Sequence, residues 1–176
     1  MNLLIIGAGG HGRVVKEVAE AMNKYNRIDF LDDNSEIAIG KCDEYMSFRD
    51  DYTYAFVAFG SNELRSKWTE KLREAGVQIP TLIHPTAYVS PTANIEHGVV
   101  VLPKATINTS AVIKQGSIIG MGSLIDHDVA IDEFCHINTG AIVKANYKVK
   151  SYTKIDAGEV YSGKQFDQEY SFEVGV

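Results

Sequence analysis

A chain of 176 residues, 45% hydrophobic and 23% charged, has the composition of a soluble globular protein with one domain or two small ones. Its formal charge of −6, with no basic run, argues against a nucleic-acid partner. No transmembrane segment is expected, and the opening stretch Met1-Asn2-Leu3-Leu4-Ile5-Ile6 is too short for a signal peptide and lacks its basic residues. Cys42 and Cys135 stand alone without metal-ligand spacing, so the expected setting is reduced and cytoplasmic, with no metal.

In chain order, residues 2–6 read as a buried strand, followed by Gly7-Ala8-Gly9-Gly10-His11-Gly12. Val14, Val15, Val18, Ala19 and Met22 then recur at helical spacing, with Lys16, Glu17 and Glu20 facing out. A second strand is expected over 28–31, ending in Asp32-Asp33-Asn34, and residues 34–48 read as a loop with a short strand at 37–39. A third strand over 54–59 runs into Gly60-Ser61-Asn62-Glu63, and a helix over 64–75 is stopped by Gly76. This is β-α-β…β-α, a small open parallel sheet of the Rossmann-like kind, about half of a full dinucleotide-binding fold.

The glycine run satisfies G-x-G-x-x-G in its required place, after a strand and opening a helix. Glycines let a backbone approach a phosphate, and a helix N-terminus supplies oriented N–H groups. Asp32 and Asp33 lie where an acidic residue binds a ribose or a base edge. With no second mononucleotide half, the size fits a single nucleotide diphosphate, as in an activated sugar, better than NAD. A tight turn that binds nothing is the competing explanation.

Near residue 83 the period changes. Val89, Ile95, Val101, Ile107, Ile113, Ile119, Ile125, Ile131, Ile137, Val143, Val149 and Ile155 recur every six residues without a gap. Chance gives such a run with a probability of about 10⁻⁸ to 10⁻⁷ by periodicity counting. Small or β-branched residues stand two places before most of these aliphatics, from Ala87 to Ala141. Gly98, Gly116, Gly122, Gly140 and Gly158, with Asn146, stand three places after. Each hexad is then a short flat strand plus a tight corner, and three hexads close one triangular coil of a parallel β-helix. Four coils stacked at roughly 4.8 Å make a prism about 20 Å tall. The expected organisation is a nucleotide-binding half over 1–82, a β-helix over 83–163, and a cap or arm over 164–176.

Of five histidines, His84 before Pro85 reads as structural and His97 has no evident role. His11 opens the first helix, within reach of a bound phosphate or sugar. His127, at a corner between Asp126 and Asp128, is poised to take up a proton near neutral pH. A solvated corner histidine beside acids is the plain alternative. His136 precedes an inward Ile137 and projects from a flat side. It therefore lies on a different side of the prism from His127, and the two share a site only if a second prism packs alongside.

Taken in order, Ile6-Gly7-Ala8-Gly9-Gly10-His11-Gly12, Leu31-Asp32-Asp33, Phe59-Gly60-Ser61-Asn62-Glu63-Leu64-Arg65, Leu82-Ile83-His84-Pro85-Thr86-Ala87 and Asp126-His127-Asp128 with Phe134-Cys135-His136-Ile137 resemble the NeuD/PglD-type sugar acyltransferases of the left-handed β-helix (hexapeptide-repeat) superfamily. The resemblance covers residues 1–163 and implies left-handed winding and a homotrimer. It implies acetyl transfer from acetyl-CoA to the amino group of a nucleotide-linked sugar for a surface polysaccharide or glycan. Sugar O-acetylation, as on sialic acid, and a non-catalytic sugar-nucleotide-binding trimer are the alternatives. By the same resemblance, Gly7, Gly9, Gly10, His11, Asp32, Asp33, Gly60 and Asn62 hold the nucleotide-sugar. His127 with Asp128 is the general base, and His136, Gly140, Ala141 and Gly158 meet CoA. The family's β-helix runs on for several more coils, and Tyr147 and Tyr152 break the small-residue pattern where the CoA groove is expected.

Overall fold

A computed structural model describes residues 1–161 and 163; the expected cap over 164–176 lies outside the described residues. The first half is a three-stranded parallel sheet in the order β2-β1-β3, from β1 (Asn2–Ile6), β2 (Arg27–Leu31) and β3 (Tyr54–Val57). Helix α1 (Gly10–Ala21) buries Val15, Val18 and Ala19 against one side of it. Helix α2 (Asn62–Glu74) buries Leu72 on the other side, with Leu4, Ile6 and Leu31. Ser61 caps α2 by accepting from the Leu64 N–H at 3.2 Å, and Gly76 at φ +71° ends it, as expected.

One segment departs from the expectation. No strand forms at 37–39. The chain makes a single parallel bridge, Leu31 to Gly40, then a 3₁₀ helix over Cys42–Phe48. Local bonds decide this: the Glu44 carboxylate accepts from the Lys41 N–H at 2.6 Å, and Asp33 Oδ1 accepts from the Cys42 N–H at 3.0 Å. Acids at a helix start are stabilised there.

From Leu82 the chain forms fourteen two-residue strands among the described residues, paired in parallel every eighteen residues. They build three faces. The first holds Leu82–Ile83, Val100–Val101, Ile118–Ile119, His136–Ile137 and Lys154–Ile155. The second holds Tyr88–Val89, Thr106–Ile107, Leu124–Ile125, Ile142–Val143 and Val160–Tyr161. The third holds Asn94–Ile95, Val112–Ile113, Ala130–Ile131 and Lys148–Val149. The predicted aliphatics from Val101 to Ile155 form one buried core, and Ala105, Ala111, Ser117, Ser123, Val129, Cys135 and Ala141 are fully buried beside them. The coil begins one hexad earlier than the periodic run, with Ile83.

The corners follow a stricter rule than the glycines suggested. From Gly98 to Gly158 every sixth residue takes positive φ, including Lys104, Ser110, Asp128, Phe134 and Tyr152, at +53° to +63°. Asp and Asn accept this region readily; for bulky residues it costs about 1–3 kcal/mol and needs support. Phe134 and Tyr152 have it. Their rings stack at 5.8 Å, and the Phe134 ring covers Gly116, where an added Cβ would lie 2.2 Å from it. Tyr152 also accepts a bond from Asn62 Nδ2 at 2.8 Å on its carbonyl. It therefore sits on the corner facing α2. Tyr147 packs against the core in edge contact with Tyr161 at 6.4 Å.

The halves share apolar surface. Leu82, Val100 and Ile118 point outward from the first face and are buried in the cluster that holds α1. Among the described residues no helix is long and apolar enough to cross a membrane.

Candidate active site

The parallel sheet brings Gly7, Asp32 and Gly60 to one edge, just past the C-terminal ends of its three strands. Gly7 has φ +105°, and its N–H donates to Leu31 O at 2.8 Å. Gly12 packs helix on turn: an added Cβ would stand 2.0 Å from the Gly7 carbonyl oxygen. Gly12→Ala is expected to destabilise the protein by about 1–3 kcal/mol through overpacking, read by denaturant titration against the wild type. By contrast Gly9, Gly10 and Gly60 have nothing within 4 Å of an added Cβ, so the space above them is open. α1 starts there without a side-chain cap or an acid in its first turn. Its first N–H groups lack helical partners and suit an anion.

Asp32 is the brace of this turn. Its Oδ2 accepts from the Ala8 N–H at 2.8 Å and its Oδ1 from the Asn34 N–H at 2.9 Å, bonds that hold the carboxyl below its usual range. Asp33 accepts from Cys42, and the Lys41 ammonium donates to the Asp33 carbonyl. Beside them lies a cavity of about 310 Å³ lined by Asp32, Ser35, Ala38, Ile39, Lys41 and Glu44. Sequence reasoning missed all but the first of these, because the loop that carries them has no periodicity.

His11 points away from the open turn into the seam between the halves. Its ring faces that of His136 at 6.4 Å between centroids. Burial, the neighbouring His136 and then Arg65 push His11 down to about 4. Burial, Arg65 and Lys154 do the same to His136. Both rings are neutral near pH 7, and His11 Nε2 and His136 Nδ1 are buried without a protein partner. Asn62, expected at the sugar, is 7% exposed, with its amide engaged at both ends: Nδ2 on Tyr152 O and Oδ1 under Arg65 Nη2, each at 2.8 Å. It belongs to the seam.

His127 and Asp128 meet as the sequence suggested. His127 Nδ1 lies 2.7 Å from Asp128 Oδ2 on an exposed corner between the second and third faces. A carboxylate only accepts, so Nδ1 carries the proton and Nε2 keeps a lone pair. The bond to Asp128 raises the imidazole above its usual range, aided by the charges of Asp126 and Asp128. Asp126 Oδ1 fixes the corner by accepting from the His127 N–H at 2.7 Å and Asn108 Nδ2 at 3.1 Å. Within one chain His127 and His136 stand on separate sides of the prism.

Gly122, Gly140 and Gly158 stack at the corner between the first and second faces, where added Cβ atoms would meet nothing nearer than 4.0 Å. This bare strip suits a long thin chain. Ala141 is a different case. Its side chain is wholly in the core, its N–H donates to Asn138 O, and its carbonyl accepts from Leu124 N. Only its backbone is left to meet a ligand.

Residues 2–72 match the family model for the PglD N-terminal domain. The acetyltransferase domain of PglB from Neisseria gonorrhoeae, solved with acetyl coenzyme A, superposes with a TM-score of 0.85 at 39% identity, over 89% of this chain and 80% of that one. A variant of perosamine N-acetyltransferase from Caulobacter crescentus, solved with CoA and GDP-perosamine, gives a TM-score of 0.82 at 28% identity, over 88% and 76%. UDP-N-acetylbacillosamine N-acetyltransferase of Bacillus subtilis is 31% identical over 110 residues, 57% of this chain; the chain spans about half the length of that curated relative, 51%. A glycine-turn half-domain fused to a hexad-built coil, matched along nearly its whole length, places the chain in the PglD-type acyltransferase family of the left-handed β-helix superfamily.

Proposed function

We propose that the protein transfers the acetyl group of acetyl-CoA to an amino group of a nucleotide-linked sugar, in the cytoplasm and as a homotrimer. The pairing of an open glycine turn with a His127–Asp128 dyad, in a chain 39% identical to an acetyl-CoA-binding domain, carries this reading. The turn at Gly9 and Gly10 takes the diphosphate, and the cavity between Asp32 and Glu44 takes the nucleoside. The glycine strip takes the pantetheine arm. The amine nitrogen attacks the thioester carbonyl, forming a C–N bond. His127 Nε2 collects the proton that the nitrogen sheds, while Asp128 holds the ring. The C–S bond then breaks, and the proton passes to the departing thiolate, releasing CoA. His136 meets the thioester or pantetheine end of CoA, and backbone N–H groups along the strip hold the developing oxyanion.

The second face supports assembly. Tyr88, Leu124 and Val160 are 56%, 45% and 45% exposed along one line, with Met121 at its edge. In the proposed trimer this stripe packs against a copy, and His127 of one chain shares a site with a neighbour's His136. Incubation with acetyl-CoA and UDP- or GDP-linked amino sugars, followed by mass analysis, is expected to show one acetyl group on the amine. Transfer to a hydroxyl, or no transfer, overturns the reading. Mixed His127→Ala and His136→Ala subunits are expected to regain activity; failure to do so removes the shared site.

A further inference from the structure

A buried guanidinium with no carboxylate partner among the described residues stands at the seam of the two halves. Arg65, in the first turn of α2, is 1% exposed. Its Nε donates to Gly116 O at 2.6 Å, its Nη1 to Phe59 O at 2.9 Å and Gly60 O at 3.4 Å, and its Nη2 to Asn62 Oδ1 at 2.8 Å, Phe134 O at 3.1 Å and Cys135 O at 3.2 Å. Every acceptor is neutral. Burying a charge without a counter-ion carries a desolvation cost that neutral acceptors offset only in part. Its placement points to another role. Two acceptors, Phe134 O and Cys135 O, lie on the strand entry that delivers His136. Two more, Phe59 O and Gly60 O, lie on the loop beside the glycine turn.

We infer that Arg65 is a positioning residue for acyl transfer, one planar fork that fixes His136 against the Phe59–Gly60 loop of the nucleotide cradle. This rests on the acyltransferase reading above. A rigid five-donor fork suits the task, whereas an ammonium is a point charge that cannot hold both strands. Burial is the main reason the neighbouring His136 ring is neutral, and the charge of Arg65 adds to it. The groups facing His136 are Arg65, His11 and Lys154, and the fixed cation of Arg65 is the foremost of the charges that keep the ring neutral. A neutral His136 donates a hydrogen bond without competing with His127 for a proton.

The test uses Arg65→Lys and Arg65→Met in the full chain. Steady-state kinetics give kcat and both KM values, and ¹⁵N-histidine NMR follows the titration and tautomer of His136, assigned with His136→Gln. Both variants are expected to lose about 10²-fold in kcat, with KM for acetyl-CoA little changed. In Arg65→Lys the His136 titration stays low. In Arg65→Met it moves upward from about 4. Wild-type kcat in a folded variant overturns the inference. So does a loss of kcat with His136 resonances identical to wild type in both variants, because a merely structural seam leaves the ring unmoved. If Arg65→Met does not fold, Arg65→Lys decides alone by its kcat and by the position of the His136 resonances. If the wild type transfers no acetyl group, the function reading fails separately, and the NMR arm still decides whether Arg65 governs His136.

Discussion

Replacing His127 by Ala is expected to lower kcat by about 10²- to 10⁴-fold, the usual contribution of a positioned general base, while the melting temperature stays at the wild-type value. The second half of that expectation follows from exposure. The His127 side chain is 48% exposed, and its ring bonds to its neighbour Asp128. The pH profile gives an independent check. Asp128 raises the His127 pKa, so the basic form that accepts a proton accumulates only as pH climbs above the ordinary imidazole value of 6.5. The acidic limb of kcat/KM is therefore expected above pH 6.5 and falls away below it. Asp128→Asn removes the main cause of the shift, so the limb moves to lower pH. An unmoved limb separates His127 from the titrating group. A fully active, folded His127→Ala protein excludes His127 as the base.

The largest effect on folding is expected from Ile119→Ala. Ile119 is 0% exposed and pairs with Val101 below and Ile137 above, in the middle of the first face. No neighbour in a close-packed column moves in to fill the void. The loss is about 2–5 kcal/mol, or about 4–20 °C in melting temperature for a chain of this size. Ile95→Ala is the control. Ile95 stands in the lowest pair of the third face and is only partly buried. Its loss is expected to be clearly smaller. Equal losses at both positions contradict a column whose stability is concentrated in its central coils.

Residues that act through local period were legible in the sequence. The sixfold aliphatics, the small residues two places before them, the β-α-β order and the His127–Asp128 contact all involve neighbours within a few places or one repeat. The seam was not legible. Arg65 reaches carbonyls 51, 69 and 70 residues away, and backbone acceptors carry no side-chain signature. The same distance hid the use of Asn62 and the true place of Tyr152, 90 residues apart in the chain. The 3₁₀ helix over Cys42–Phe48 was missed for another reason: its stability comes from single bonds by Glu44 and Asp33 rather than from an apolar stripe. The signal available was the acid pair Asp43-Glu44 at its start. Glycine was also too narrow a marker for the corners, since Lys104, Ser110 and Phe134 take the same backbone shape.

The eighteen-residue pairing has a consequence for how such a chain changes length. Each inward side chain is aligned with one a full turn above, as Ile119 is with Ile137. A single inserted residue on any flat edge would exchange axis-facing and solvent-facing positions for every later rung. Extra residues are tolerated only as bulges at the vertices, where no rung is interrupted. A longer or shorter prism is reached only by adding or removing whole turns, each of which lays one rung on all three sides at once.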